Sequence, residues 1–239
     1  MNRKLTAIAL IAAAVFTNAA FTVLGNVFNY PDVLKEPNRV VLARFHEHQG
    51  SVSFWFTVLA LSAALFAPIA RGVGKLRSDQ YMRVAVPVGI AAAVVQVIGL
   101  SRWPLLVPTF ASDAVNGNAA TAAAAADHFH TASTILGTVI GETFGYVLTA
   151  AWTLLVVRSL GARFSGRVFV GLGTVSAAMI FAGVASPLDI GAIDLINFGG
   201  YVLWSIWLIW FAIVLLRQAD PMAVVAETTM PQQTVPASR

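Results

Sequence analysis

The sequence predicts an all-α, polytopic membrane protein with six transmembrane helices and both termini cytoplasmic. Three observations predict it. Of the 239 residues, 58% are hydrophobic and only 11% are charged, against about 25% charged in a soluble domain. That leaves too little polar surface to face water on every side. The apolar residues gather in runs of roughly 20, the length that crosses a hydrocarbon core about 30 Å thick. Lys and Arg are abundant in every other connection and sparse in the rest, which is how membrane topology is written.

The six runs are Leu5–Leu24, Ser51–Ala70, Val84–Val107, Ala132–Val157, Val168–Ala185 and Leu195–Leu216. They are too long for strands, and a helix satisfies its own backbone polar groups in lipid. Arg3 and Lys4 precede the first run. Arg71, Lys75, Arg77 and Arg83 separate the second and third, Arg158, Arg163 and Arg167 separate the fourth and fifth, and Arg217 closes the sixth. These connections read as cytoplasmic. Of the intervening connections, the first carries Lys35, Arg39 and Arg44, the one from Pro108 to Thr131 has no Lys or Arg, and the one from Ser186 to Asp194 carries only Asp189 and Asp194. Met1 to Phe21 also has the layout of a signal peptide, whose removal would leave five spans. Its apolar run exceeds a signal core of about 7–15 residues, so it reads as a retained span.

Short amphipathic helices are expected in the first two outer connections. Pro37 suits a first helical turn, and Val41, Leu42 and Phe45 then share one face. Residues 116–130 are Ala-rich and read as helical up to the fourth span. Residues 218–239 contain Pro221, Pro231 and Pro236 and read as a disordered cytoplasmic tail. The domain division is therefore 1–217 in the membrane and 218–239 outside it.

The chain has no cysteine, which excludes disulfides, thiolate metal sites, iron–sulfur clusters and thiol catalysis. Its net charge of +4 is spread in short clusters between apolar runs. The expected partner is the lipid bilayer, with no nucleic acid. The sequence carries no sign of an oligomeric state.

Ionisable residues inside spans are costly and mark function by default. Arg102 stands nineteen positions beyond Arg83, roughly 28 Å across at helical rise. Glu142 stands sixteen positions before Arg158, roughly 24 Å from the same face. The two should meet as an ion pair near the outer side. His128, Thr131, Ile135, Thr138, Glu142, Tyr146 and Thr149 recur at three- and four-residue spacing, which places a largely polar stripe on one helix face. Asn18, Gln96 and Asn197 could join that stripe. Pro104 frees a carbonyl and bends or ends its helix just after Arg102.

All four histidines lie in two His-x-His pairs, His46 with His48 and His128 with His130. Helical positions two apart point in nearly opposite directions, so one pair cannot grip one metal with both rings. One histidine from each pair, completed by Glu47, Asp127 or Glu142, would make a zinc site. One from each side could instead hold haem. The bland alternative is a set of interfacial histidines bonded to loop backbone or water, with no cofactor.

The segments "YPDVLKEP", "SRWPLLVP" and "GETFGY", in this order and spacing, resemble a bacterial membrane family catalogued as domain of unknown function 4386. The resemblance covers about residues 5 to 216. It implies a helical integral protein of the bacterial inner membrane in which the three segments belong together; by their position in the chain all three lie at the outer face. It implies no reaction, substrate or cofactor.

The leading functional expectation is an outward-facing polar pocket that binds or passes a small ligand. Arg102, Glu142 and Tyr146 would form it, with Thr138, Asn18, Gln96 and Asn197 around them and Tyr30 and Asp32 as a lid. A metal- or haem-dependent membrane enzyme built on the histidines, and a structural accessory subunit, are the alternatives.

Overall fold

A computed structural model of the chain describes residues 1–188 and 190–218. The expected tail over 218–239, apart from Gln218, lies outside the described residues, as does Asp189. Six helical segments among the described residues are long and apolar enough to cross a membrane: Arg3–Phe28, Gln49–Gly74, Gln80–Asn116, Ala119–Leu160, Ala162–Leu188 and Ile193–Arg217. Each contains the core of one expected run and extends past it, because helical geometry continues beyond the apolar window until a cap or proline stops it. The described residues contain no strand. The protein is a multi-pass, all-α membrane protein.

Local chemistry sets the breaks. Helix α1 (Arg3–Phe28) starts where the Asn2 side chain accepts the Leu5 N–H at 2.9 Å, a conventional N-cap. It stops at Asn29, which is left-handed with φ 54°, a conformation Asn tolerates at a helix end. Helix α2 (Asn38–Glu47) follows Pro37. The second span divides at Leu65 into α3 (Gln49–Ala64) and α4 (Phe66–Gly74). Pro68 explains the break, since it lacks an N–H for the Ala64 carbonyl and its ring crowds that group. Helix α5 (Gln80–Leu105) begins at Asp79, whose carboxylate accepts the Met82 N–H at 2.9 Å. It ends one residue after Pro104, and α6 (Val107–Asn116) takes over. The fourth span comprises α7 (Ala119–Ala132), a π-helix over Ser133–Phe144 and α8 (Gly145–Leu160). Helices α9 (Ala162–Ala182) and α10 (Ile193–Arg217) complete the chain, with α9 broken at Ser165 and Gly166.

The spans close into a ring. Helix α1 packs on α3, α3 on α5, α5 on α8, α8 on α9, α9 on α10, and α10 returns to α1. Two apolar clusters fill it. The cluster nearer the termini is built on Phe66, Trp152, Phe169, Trp207 and Phe211. Trp207 there donates to the Phe169 carbonyl at 3.1 Å, and Trp204 donates to Thr153 Oγ1 at 2.8 Å. The cluster on the far side is built on Phe28, Phe45, Phe56, Trp103 and Phe129. Helices α2, α6 and α7 pack on one another across this far end. They turn Val41, Leu42, Phe45, Ala111 and Phe129 inward.

Candidate functional site

Near the far end of α5, Arg102 and Trp103 are both buried, at 5% and 0% exposure. Trp103 is the hub of an aromatic cluster. It stacks on Phe56 at 4.6 Å between centroids and on Phe45 at 5.9 Å. Phe28, Phe129 and Tyr30 meet it at 5.3, 5.9 and 6.3 Å. The Arg102 guanidinium lies 5.3 Å from the Trp103 ring, a cation–π distance. One amine donates to the Gly99 carbonyl, while Nε is buried without a hydrogen-bond partner. The guanidinium is therefore closed in rather than open to solvent.

The space for Arg102 comes from glycine. A methyl group added at Gly137 would sit 2.7 Å from Arg102 Nη2. One helical turn along, a methyl at Gly99 would sit 2.6 Å from the Gly141 Cα and 2.9 Å from the Leu136 carbonyl. The third and fourth spans thus touch backbone to backbone, as small residues permit in membranes.

Glu142 lies on the π-helix, and the expected ion pair with Arg102 does not form. The ion pairs among the described residues are Lys35–Asp32, Lys35–Asp194 and Arg77–Asp79, so no Arg102 guanidinium nitrogen lies within 4.0 Å of a Glu142 carboxylate oxygen. The π-helix also alters the expected stripe. Thr143 Oγ1 donates to the Thr138 carbonyl five residues back, at 2.9 Å. A turn with one extra residue breaks the three- and four-residue rule over 133–144. Ile135 accordingly lies half exposed, and Thr131 and His128 are exposed.

Beyond the π-helix the α-helical spacing resumes, and polar groups meet across the ring. Gln96 Nε2 donates to Thr149 Oγ1 at 3.0 Å. The Tyr146 and Tyr201 rings lie 5.9 Å apart. Tyr146 and Asn197 both lie against Gly183, and Asn197 donates to the Ile180 carbonyl at 2.9 Å. Asn18 stands apart from this group, donating to Ser205 Oγ at 2.8 Å and the Ala14 carbonyl at 2.7 Å. Ser205 in turn donates to the Tyr201 carbonyl at 2.9 Å.

The two residues expected as a lid lie in different surroundings. The Tyr30 ring packs on Phe56 at 5.1 Å, and burial, with Glu142 adding to it, pushes its hydroxyl up to about 12. Asp32 is not part of the cluster. Its side chain is exposed and pairs with Lys35 at 3.1 Å, and Lys35 also reaches Asp194 at 3.6 Å. That link ties the first far connection to the start of α10.

The histidines do not gather as ligands. Among the described residues, no three His, Asp or Glu side chains are grouped to hold a metal. On α7 the inward place is taken by Phe129, so His128 and His130 fall on its flanks and are exposed. On α2 it is taken by Phe45. His46, beside it, has a buried Nδ1 without a partner, while His48 is exposed at the α2–α3 junction.

Two features escaped reading by residue type. Trp103 was visible only as a letter of its motif. Tyr201 continues a spacing of four with Asn197 and Ser205 on α10, and that repeat was a readable signal.

No curated protein and no solved structure matches the chain. A family model does match, over residues 5–212. The segments YPDVLKEP, SRWPLLVP and GETFGY lie within that range and approach one another: Tyr30 of the first meets Trp103 of the second, and Gly99, just before the second, meets Gly141 of the third. The chain belongs to the family described as Domain of unknown function (DUF4386).

Proposed function

We propose that this multi-pass protein sits in the bacterial inner membrane, facing outward with the cluster around Arg102, and there binds or passes a small ligand with an anionic or carbonyl group. One observation carries the reading. Arg102 is buried, has no carboxylate within 4.0 Å among the described residues, and keeps an unbonded Nε. A buried charge without a partner is costly, and a ligand oxygen would complete it. Arg102 holds that oxygen. Glu142 orients the guanidinium or exchanges a proton, and Tyr146 supplies a hydroxyl.

The test uses the full chain in mild detergent and reads thermal melting with acetate, benzoate, succinate and inorganic phosphate. At least one of these should stabilise the protein, and Arg102→Ala should abolish that response. Equal response in Arg102→Ala, or no response of the parent protein to any of the four, would overturn the reading.

A further inference from the structure

A groove of about 850 Å³ opens at the opposite end of the ring, on the side of the termini. Its rim carries Tyr81 of α5, Arg158 of α8 and Arg167 of α9, and its apolar wall includes Leu154, Leu155 and Val170. None of the residues discussed above for the Arg102 cluster lines it. The two arginines differ from their neighbour Arg77, which is satisfied by Asp79 at 3.2 Å and by the Ser159 carbonyl at 2.8 Å. Arg158 and Arg167 have no carboxylate within 4.0 Å among the described residues. The Arg158 guanidinium carbon lies over the Tyr81 ring, 5.0 Å from its centroid, a cation–π distance. Arg167 follows the break at Ser165 and Gly166, so it stands in the first turn of the spanning part of α9. The positive end of that helix adds to its charge.

Two uncompensated arginines thus stand above a greasy channel at one edge of the spans. That combination matches one kind of occupant, a phosphate on top of an acyl chain. We infer that this groove is a binding site for an anionic phospholipid of the leaflet on the side of the termini. Arg158 and Arg167 hold the headgroup phosphate, and Leu154, Leu155 and Val170 line the path of a chain. A basic recess between helices at that level is a recognised setting for anionic headgroups.

The test is made on delipidated full chain in detergent, titrated with phosphatidylglycerol, phosphatidylcholine or inorganic phosphate, with bound lipid read by native mass spectrometry. Phosphatidylglycerol should bind in preference to phosphatidylcholine, and inorganic phosphate should not displace it. Arg158→Ala with Arg167→Ala should weaken phosphatidylglycerol roughly thirtyfold, from about one kilocalorie per arginine. Arg163→Ala, outside the groove, should leave binding unchanged. Should the double variant fail to fold, Leu154→Trp fills the channel while both arginines remain, and it too should weaken binding. The inference is overturned if the double variant or Leu154→Trp binds phosphatidylglycerol like the parent, or if Arg163→Ala weakens it equally. Displacement by inorganic phosphate, or equal binding of phosphatidylcholine, would overturn it as well.

Discussion

Arg102 and Trp103 are adjacent in the chain and opposite in their effect on stability. Trp103 touches five aromatic rings, so Trp103→Ala should cost about 3–5 kcal/mol, as large-to-small changes in a packed aromatic core do. Arg102 is a buried cation without a contacting carboxylate, so Arg102→Met should leave the melting temperature unchanged or raise it. A clear loss of stability in Arg102→Met would mean that the arginine serves the fold instead of a ligand. Arg102 and Glu142 were legible as a pair because residue counting gives height in the membrane. Their failure to touch was not legible, since counting says nothing of rotation about the helix axis. Trp103 as a hub was equally hidden, because its partners come from α1, α2, α3 and α7 and from the turn at Tyr30.

Element boundaries follow chemistry that is local and readable. The caps at Asn2 and Asp79 and the breaks at Pro68 and Pro104 can all be found in the sequence. At Asp79 the Met82 N–H, followed by Ser159 and Arg77, holds the carboxyl below its ordinary range against the opposing effect of burial. A lowered folded value means that the stabilisation is complete above the ordinary value near 3.9 and is lost as pH falls through the folded value. Asp79→Ala should therefore melt earlier than the parent at pH 7, and the difference should begin to narrow only below about pH 4. The π-helix could not be read, because a shift from four- to five-residue bonding changes no residue type. The crossing of the third and fourth spans was readable only as small residues in both. Gly99→Ala would press on the Gly141 backbone and should cost about 1–3 kcal/mol by overpacking. Gly137→Ala meets only the end of the Arg102 side chain, so it should melt closer to the parent while displacing the guanidinium. Melting curves of the two variants side by side check this order.

At the scale of the whole molecule, six spans and their alternating charges were legible because bilayer thickness and lipid potential act on sequence directly. The closure of α10 onto α1 was not, since contacts between distant segments depend on packing alone. Orientation can be tested simply, because the chain has no cysteine of its own. Glu36→Cys and Ser78→Cys place single exposed thiols on opposite sides of the ring. A membrane-impermeant maleimide added to intact cells should label the first and spare the second; the reverse pattern would invert the topology. The bare touch of Gly99 on Gly141 governs how the third and fourth spans can shift. It lies between Arg102 above Gly137 at one end and Gly89 against Trp152 at the other. Any rocking that preserves the touch must turn about it as a see-saw does. Spreading the arginine end then squeezes the tryptophan end, so the two ends of this helix pair cannot loosen together.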